Sequence, residues 1–165
     1  MKQEKSKISV LMSVYKKENP EYLRASLESI LVQTRTADEI LLIEDGPLTQ
    51  ELYQVVAEYQ KKCDYLHVHA MEQNVQLGRA LAKGVELCQY DLIARMDTDD
   101  IAMPHRLEKE GAYMEAHPEV DVVGGAIREF NDEGTIDRVK NMPKTQEEIL
   151  EYVKVRNPLN HMTVM

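Results

Sequence analysis

Between Ile8 and Met96 the chain alternates four times between a short β-rich run and a stretch with helical spacing, and that alternation leaves few folds open. Ile8-Ser9-Val10-Leu11-Met12-Ser13-Val14 is a β-rich apolar run of the kind found in a strand covered on both sides. Asn19 can cap a helix with Pro20 at its first position, and Leu23, Leu27, Ile30 and Leu31 share one face up to about Gln33. Glu39 to Ile43 predicts a second strand. After the turn Glu44-Asp45-Gly46-Pro47, a second helix carries Leu48, Leu52, Val55, Val56 and Tyr59 on its apolar face. Tyr65 to Ala70 predicts a third strand. A helix from about Leu77 to Cys88 is expected to bury Leu77, Leu81, Val85 and Cys88, and Leu92 to Met96 makes a fourth strand. Such βαβ units close through right-handed crossovers into a parallel sheet covered by helices on both faces.

The second half is less regular. Pro104 opens a helix through Leu107 and Tyr113 to about His117, and Pro118 ends it before a strand at Val120 to Val123. Ala126 to Asn131 and Thr135 to Val139 flank Asp132-Glu133-Gly134 as a hairpin, so the sheet is expected to become mixed toward its C-terminal end. Thr145-Gln146-Glu147-Glu148 has the form of a capping box and starts a helix that Asn157-Pro158 stops. His161 to Met165 reads as a strand. The expected fold class is therefore α/β, one domain over residues 1–165, mostly parallel and flanked by helices.

Composition narrows the partners. The net charge is −9 over 165 residues, with no block of Lys or Arg, which argues against a nucleic-acid backbone or an anionic membrane as the primary partner. No apolar run reaches the roughly 18 residues of a membrane span. The chain is expected to be soluble and cytoplasmic, with any membrane contact peripheral. Cys63 and Cys88 lack CxxC spacing and a companion His cluster, so they read as reduced thiols.

In open parallel sheets, ligands gather at the carboxyl ends of the strands. The first strand ends in Ser13-Val14-Tyr15, the second in Glu44-Asp45-Gly46 and the fourth in Asp97-Thr98-Asp99-Asp100. One rim thus collects five carboxylates, which repel one another unless a cation offsets them. Carboxylate oxygens suit Mg²⁺ or Mn²⁺, ions that take one or two protein carboxylates and fill the remaining positions with water and phosphate. The competing interpretation is an acidic turn or helix cap, since Asp and Thr favour both and Pro104 follows closely.

Several motifs, taken in order, resemble the inverting GT-A glycosyltransferases of family two, from about Ile8 to the last residue. Ser9 to Tyr15 is similar to that family's opening strand, Ser29-Ile30-Leu31-Val32-Gln33-Thr34 to its first helix and turn, and Glu39 to Gly46 to its second strand with the acidic pair. Ile93-Ala94-Arg95-Met96-Asp97-Thr98-Asp99-Asp100-Ile101, with Pro104 and Arg106-Leu107-Glu108, resembles the segment carrying the DXD motif. The resemblance implies a GT-A fold and a nucleotide-sugar site in which Ser13 and Tyr15 contact the base and Asp45 accepts from its imide, favouring a UDP-type donor. It implies Asp97 at the ribose or at a water of the ion's outer sphere, Asp99 on Mn²⁺ or Mg²⁺, Asp100 either as a partner behind the metal ligand or in the sugar pocket, and Arg95 at phosphate or paired with the Asp cluster. Asn74 is a further nucleotide-binding candidate. Gln76 and Ala82 depart from a stretch in which the family more often has Gly and Asn. His161 falls in an element that lies toward the acceptor in relatives.

The implied activity is metal-dependent transfer of a sugar to a glycan or lipid-linked acceptor, as in surface polysaccharide assembly. The family's general base is expected beyond residue 165, so the chain reads as the donor-binding portion. Two alternatives stay open: a non-catalytic nucleotide-binding fragment, and a sugar nucleotidyltransferase or phosphohydrolase. The last fits less well, because Ser13 and Tyr15 stand where a phosphatase nucleophile belongs and Lys16-Lys17 lacks the glycines of a nucleotidyltransferase loop.

Overall fold

The computed structural model describes residues 5–131 and 136–165. Four strands form one parallel sheet in the order β3-β2-β1-β4: β1 (Ile8–Val14), β2 (Glu39–Glu44), β3 (Leu66–Ala70) and β4 (Leu92–Asp97). The helices α1 (Pro20–Leu31), α2 (Gln50–Lys62) and α3 (Leu77–Leu87) are the crossovers. Asn19 caps α1 by accepting from the Glu21 amide, and Thr49 caps α2 by accepting from Leu52, both standard solutions for the orphan amides of a helix start.

Strand alternation sorts the core into two layers. Ile8, Val10, Met12, Val14, Ile40, Leu42, Ala94 and Met96 pack with Leu23, Leu27 and Ile30 of α1 and Leu52, Val55, Val56 and Tyr59 of α2. On the other face Leu11, Leu41 and Ile43 form a smaller cluster with Ala80 of α3. Here the expected face of α3 is corrected. Leu77 and Val85 are exposed, Leu81 and Cys88 are partly buried, and the residues that seat the helix are Ala80 and Gly84. A Cβ at Gly84 would collide with the Leu11 side chain; the helix lies so close to the sheet that only small residues fit, and the larger apolar stripe is turned aside.

Beyond β4, the helix α4 (Arg106–Ala116) begins two residues after Pro104. Val120 to Val123 is not a strand; Val123 exchanges two backbone hydrogen bonds with Met165 instead, at 3.0 and 2.9 Å. The hairpin is present as β5 (Ile127–Phe130) and β6 (Ile136–Lys140), antiparallel but in a sheet of their own. Its turn, Asp132-Glu133-Gly134, lies outside the described residues. The capping box at Thr145 and Glu148 opens α5 (Gln146–Tyr152), which ends before Asn157-Pro158. His161–Thr163 is a 3-10 turn rather than a strand, because the Asn160 carbonyl accepts from both the Thr163 amide at 2.8 Å and the Thr163 hydroxyl at 2.7 Å. Just past that turn, Val164 accepts a hydrogen bond from the Arg95 amide on the free edge of β4 at 2.8 Å. Both cysteines are free thiols. Among the described residues no helix is long and apolar enough to cross a membrane.

Candidate nucleotide-sugar and metal site

Ser13 and Asp97 are register partners on β1 and β4, and Asp45 follows β2 two residues after Ile43, so alternation aims all three to the α3 side at the carboxyl end of the sheet. There they line a cavity of about 450 Å³ together with Tyr15, Glu18, Asn74, Gln76, Leu77, Thr98, Asp99 and His161. The structure therefore brings Ser13, Tyr15, Asp45, Asn74, Asp97 and Asp99 to one space. Asp100 and Arg95 are not on its lining.

Asp45 is buried and its carboxylate is held by the loop opposite. Oδ1 accepts from the Val75 amide at 2.6 Å and Oδ2 from Asn74 Nδ2 at 2.9 Å. Gly46 makes that approach possible: its φ is +84°, and a Cβ there would lie 2.5 Å from the Asn74 nitrogen. The Asn74 amide is thus engaged with Asp45, and Asn74 acts first as a brace for that carboxylate. Gln76 has φ +72°, a conformation that L side chains adopt only under constraint; this is the place where family resemblance favours Gly.

The acidic loop is fixed through its backbone. Ser26 and Ser29 on α1, and Gln33 just past its end, form a buried polar stripe. The Ser26 hydroxyl donates to the Asp97 carbonyl at 2.8 Å, Ser29 Oγ accepts from the Ala102 amide at 3.0 Å, and Gln33 donates to the Met103 carbonyl at 2.8 Å while accepting from the Leu107 amide at 3.1 Å. Thr98 donates to Glu18 at 2.6 Å, tying the loop to the β1–α1 connection. The role of Glu18 is carried by no motif, and those of Thr98 and Gln76 do not follow from theirs; the polar Ser29 and Gln33 in and just after an otherwise apolar helix face are the available signal.

The carboxylates themselves remain exposed to one another. Asp97, Asp99 and Asp100 each offer an oxygen within 4.8 Å of the others. Burial, then Asp97 and Asp99, push the Asp100 carboxyl from its ordinary value up to about 6, against the opposing pull of Arg95 and Arg106. Arg95 forms an ion pair with Asp97, yet its Nε and Nη1 are buried without a hydrogen-bond partner among the described residues. Arg106 is committed elsewhere, to Glu110 at 3.1 Å and to the Arg95 carbonyl at 2.7 Å. An all-oxygen donor set with one paired cation fits Mg²⁺ or Mn²⁺.

Comparison with known proteins gives the chain's family. A glycosyltransferase of Haemophilus influenzae without assigned function is 47% identical over 96% of this chain and 59% of its own length. The amylovoran biosynthesis glycosyltransferase AmsE of Erwinia amylovora is 44% identical over 95% of this chain and 58% of its own. An Escherichia coli UDP-Gal:alpha-D-GlcNAc-diphosphoundecaprenol beta-1,3-galactosyltransferase is 35% identical over 99% and 59%. The chain thus spans somewhat more than half the length of these relatives. The S. aureus TarS 1-349 structure in complex with UDP-GlcNAc shares the fold, with a TM-score of 0.67 and 23% identity over 78% of this chain and 36% of that one. Residues 9–165 match the sequence profile of Glycosyl transferase family 2, and the chain belongs to that family.

Proposed function

We propose that this chain binds the donor in a metal-dependent, inverting glycosyltransferase that moves a sugar from a UDP-type donor to a glycan or lipid-linked acceptor in surface polysaccharide assembly, on the cytoplasmic side of the membrane. The observation that carries the reading is the convergence of Asp97, Asp99 and Asp100 within 4.8 Å of one another at the rim of a cavity that also holds Asp45, Ser13 and Tyr15. The E. coli relative's UDP-Gal donor and the AmsE role in amylovoran biosynthesis support the donor class and the setting.

In this reading Asp99 holds Mg²⁺ or Mn²⁺, and the bound cation supplies positive charge to the diphosphate leaving group. Tyr15 and Ser13 contact the base. Asp45, its carboxylate fixed by Val75 and Asn74, accepts from the base imide through lone pairs that those two contacts leave. Asp97 holds the ribose while Arg95 neutralises part of its charge. Asp100 reaches the donor sugar, and the free donors of Arg95 face phosphate or the acidic cluster.

Calorimetry of UDP binding tests this directly. Affinity is expected to rise with Mg²⁺ or Mn²⁺ and to fall to a common low value in chelator, and Asp99→Ala should remove the cation dependence while the fold persists. Equal binding with and without chelator sinks the metal assignment. Asp45→Ala should cost about ten- to hundredfold in UDP affinity, the worth of a charged hydrogen bond, and should flatten the preference for UDP over GDP and CDP; an unchanged preference removes Asp45 from base recognition.

A further inference from the structure

The strand β3 is an outer edge of the parallel sheet, paired only with β2 among the described residues. Its backbone groups alternate in direction. The Ile40 amide donates to the Tyr65 carbonyl and the Met71 amide to the Glu44 carbonyl, both at 2.9 Å, so the odd-numbered residues of this stretch turn their amides and carbonyls toward β2, and Leu66, Val68 and Ala70 turn theirs outward. Natural sheet edges are blunted by Lys, Pro or a bulge; Leu66-His67-Val68-His69-Ala70 has none of these. The side chains alternate as well. His67 and His69 are in register with Leu41 and Ile43 and therefore share the α3 face, with His67 exposed and His69 half-buried. Neither imidazole makes a hydrogen bond or ion pair among the described residues, whereas His105 and His117 are each held by a glutamate, Glu108 at 3.2 Å and Glu119 at 3.0 Å.

Two imidazoles spaced about 7 Å along one face of a strand are half of a tetrahedral donor set, of the kind that Zn²⁺ takes and Mg²⁺ does not. The free edge can supply the other half. When a second copy pairs antiparallel about Val68, Val68 exchanges ladder bonds with the partner's Val68, and the Ala70 amide donates to the partner's Leu66 carbonyl, with the symmetric bond running the other way. His67 then stands opposite the partner's His69 in a pair without ladder bonds, the arrangement in which Cα atoms approach to about 4.5 Å. All four imidazoles rise on one face around the dyad. We propose that two copies of the chain join through their β3 edges and close a four-imidazole site for one Zn²⁺-class ion. The pairing depends on the ion. The strands are short, and the same register sets Asp64 across from the partner's Glu72 at each end, so without a cation the contact is small and opposed by like charges. Zn²⁺ at the dyad offsets that repulsion and fixes the register, since a slip of one residue turns the partner's imidazoles to the other face.

Sedimentation velocity and calorimetry with Zn²⁺ on the 165-residue chain test this, with Mg²⁺ in excess to occupy the acidic loop. Zn²⁺ should convert monomer to dimer at one ion per two chains, and chelator should reverse the change. His67→Gln and His69→Gln should each weaken the Zn²⁺-dependent dimer by about tenfold or more. Ala70→Pro removes an outward amide and no bond to β2; it should weaken the dimer while both imidazoles stay in place, an effect that a chelate confined to one chain would not show. All three variants should bind UDP as the parent does, so the outcome is independent of the donor reading. The proposal is overturned if the chain stays monomeric with Zn²⁺, if Zn²⁺ binds one per chain without a change of mass, or if the dimer survives chelator. It is equally overturned if the histidine variants, or a folded Ala70→Pro, dimerise as well as the parent. Should Ala70→Pro lose its fold, the histidine variants and the stoichiometry decide.

Discussion

On one face of the parallel sheet, side chains such as Ile8, Val10, Met12, Ile40 and Leu42 meet two helices, α1 and α2, in a layer that is apolar along most of its length. On the other face Leu11, Leu41 and Ile43 meet a single helix, α3, through Ala80 and Gly84, and polar groups occupy both ends. At the amino end the buried Ser9 hydroxyl donates to Glu39, which also accepts from the Gln89 amide at 2.8 Å. At the carboxyl end stand Ser13, Asp45, Arg95 and Asp97. The first face is where burial stabilises the domain; the second gives up apolar area to hold chemistry. A strand with period two can do both because its alternate residues answer to different layers.

The largest effect expected from this division is in stability. Leu42→Ala should cost about 2–5 kcal/mol, with Leu41→Ala toward the low end of that range, measured by chemical denaturation. Equal losses would erase the distinction between the faces. A smaller effect belongs to the acidic end of the second face. Because the folded Asp100 carboxyl titrates near 6 rather than at its ordinary 3.8, the folded state holds a proton that the unfolded state has released, so stability contributed by this group is full below about pH 4 and declines up to about pH 6. Asp100→Asn should flatten that decline and, without divalent cation, leave the protein more stable than its parent at pH 7. Parallel pH profiles for the two proteins would contradict this. The smallest effect concerns Gln76. Gln76→Gly should relieve its positive φ and stabilise by about 1 kcal/mol; a neutral or negative change in melting would mean that its side chain contributes more than the backbone constraint costs.

The first face was readable from sequence because large apolar residues at periods two and 3.6 leave little choice of partner. The second was misread at α3, where the Leu77 and Val85 stripe satisfied the helical period but close packing required Ala80 and Gly84. Periodicity records which residues prefer burial, and it is silent on how near two elements approach. The same limit explains the C-terminal residues. The composition of His161 to Met165 allows a strand, but Thr163 folds back onto Asn160 and Gly125, with the Gly125 amide donating to its hydroxyl at 2.9 Å. Of the candidate site, the strand-end residues followed from topology, since βαβ order alone brings Ser13, Asp45 and Asp97 to one rim. Glu18 and Gln76 do not, because loop residues acquire neighbours only when the chain is closed.

The polar stripe of Ser26, Ser29 and Gln33 grips the acidic loop by carbonyls and amides and takes up none of its carboxylates; Asp97 pairs with Arg95 instead. Shape and charge in that loop are consequently independent variables. Asp99 and Asp100 can be exchanged one at a time as in a socket whose frame does not deform, and a chimera that transplants α1 together with residues 97–107 should carry the loop's path into a related scaffold even when the cation preference is rewritten.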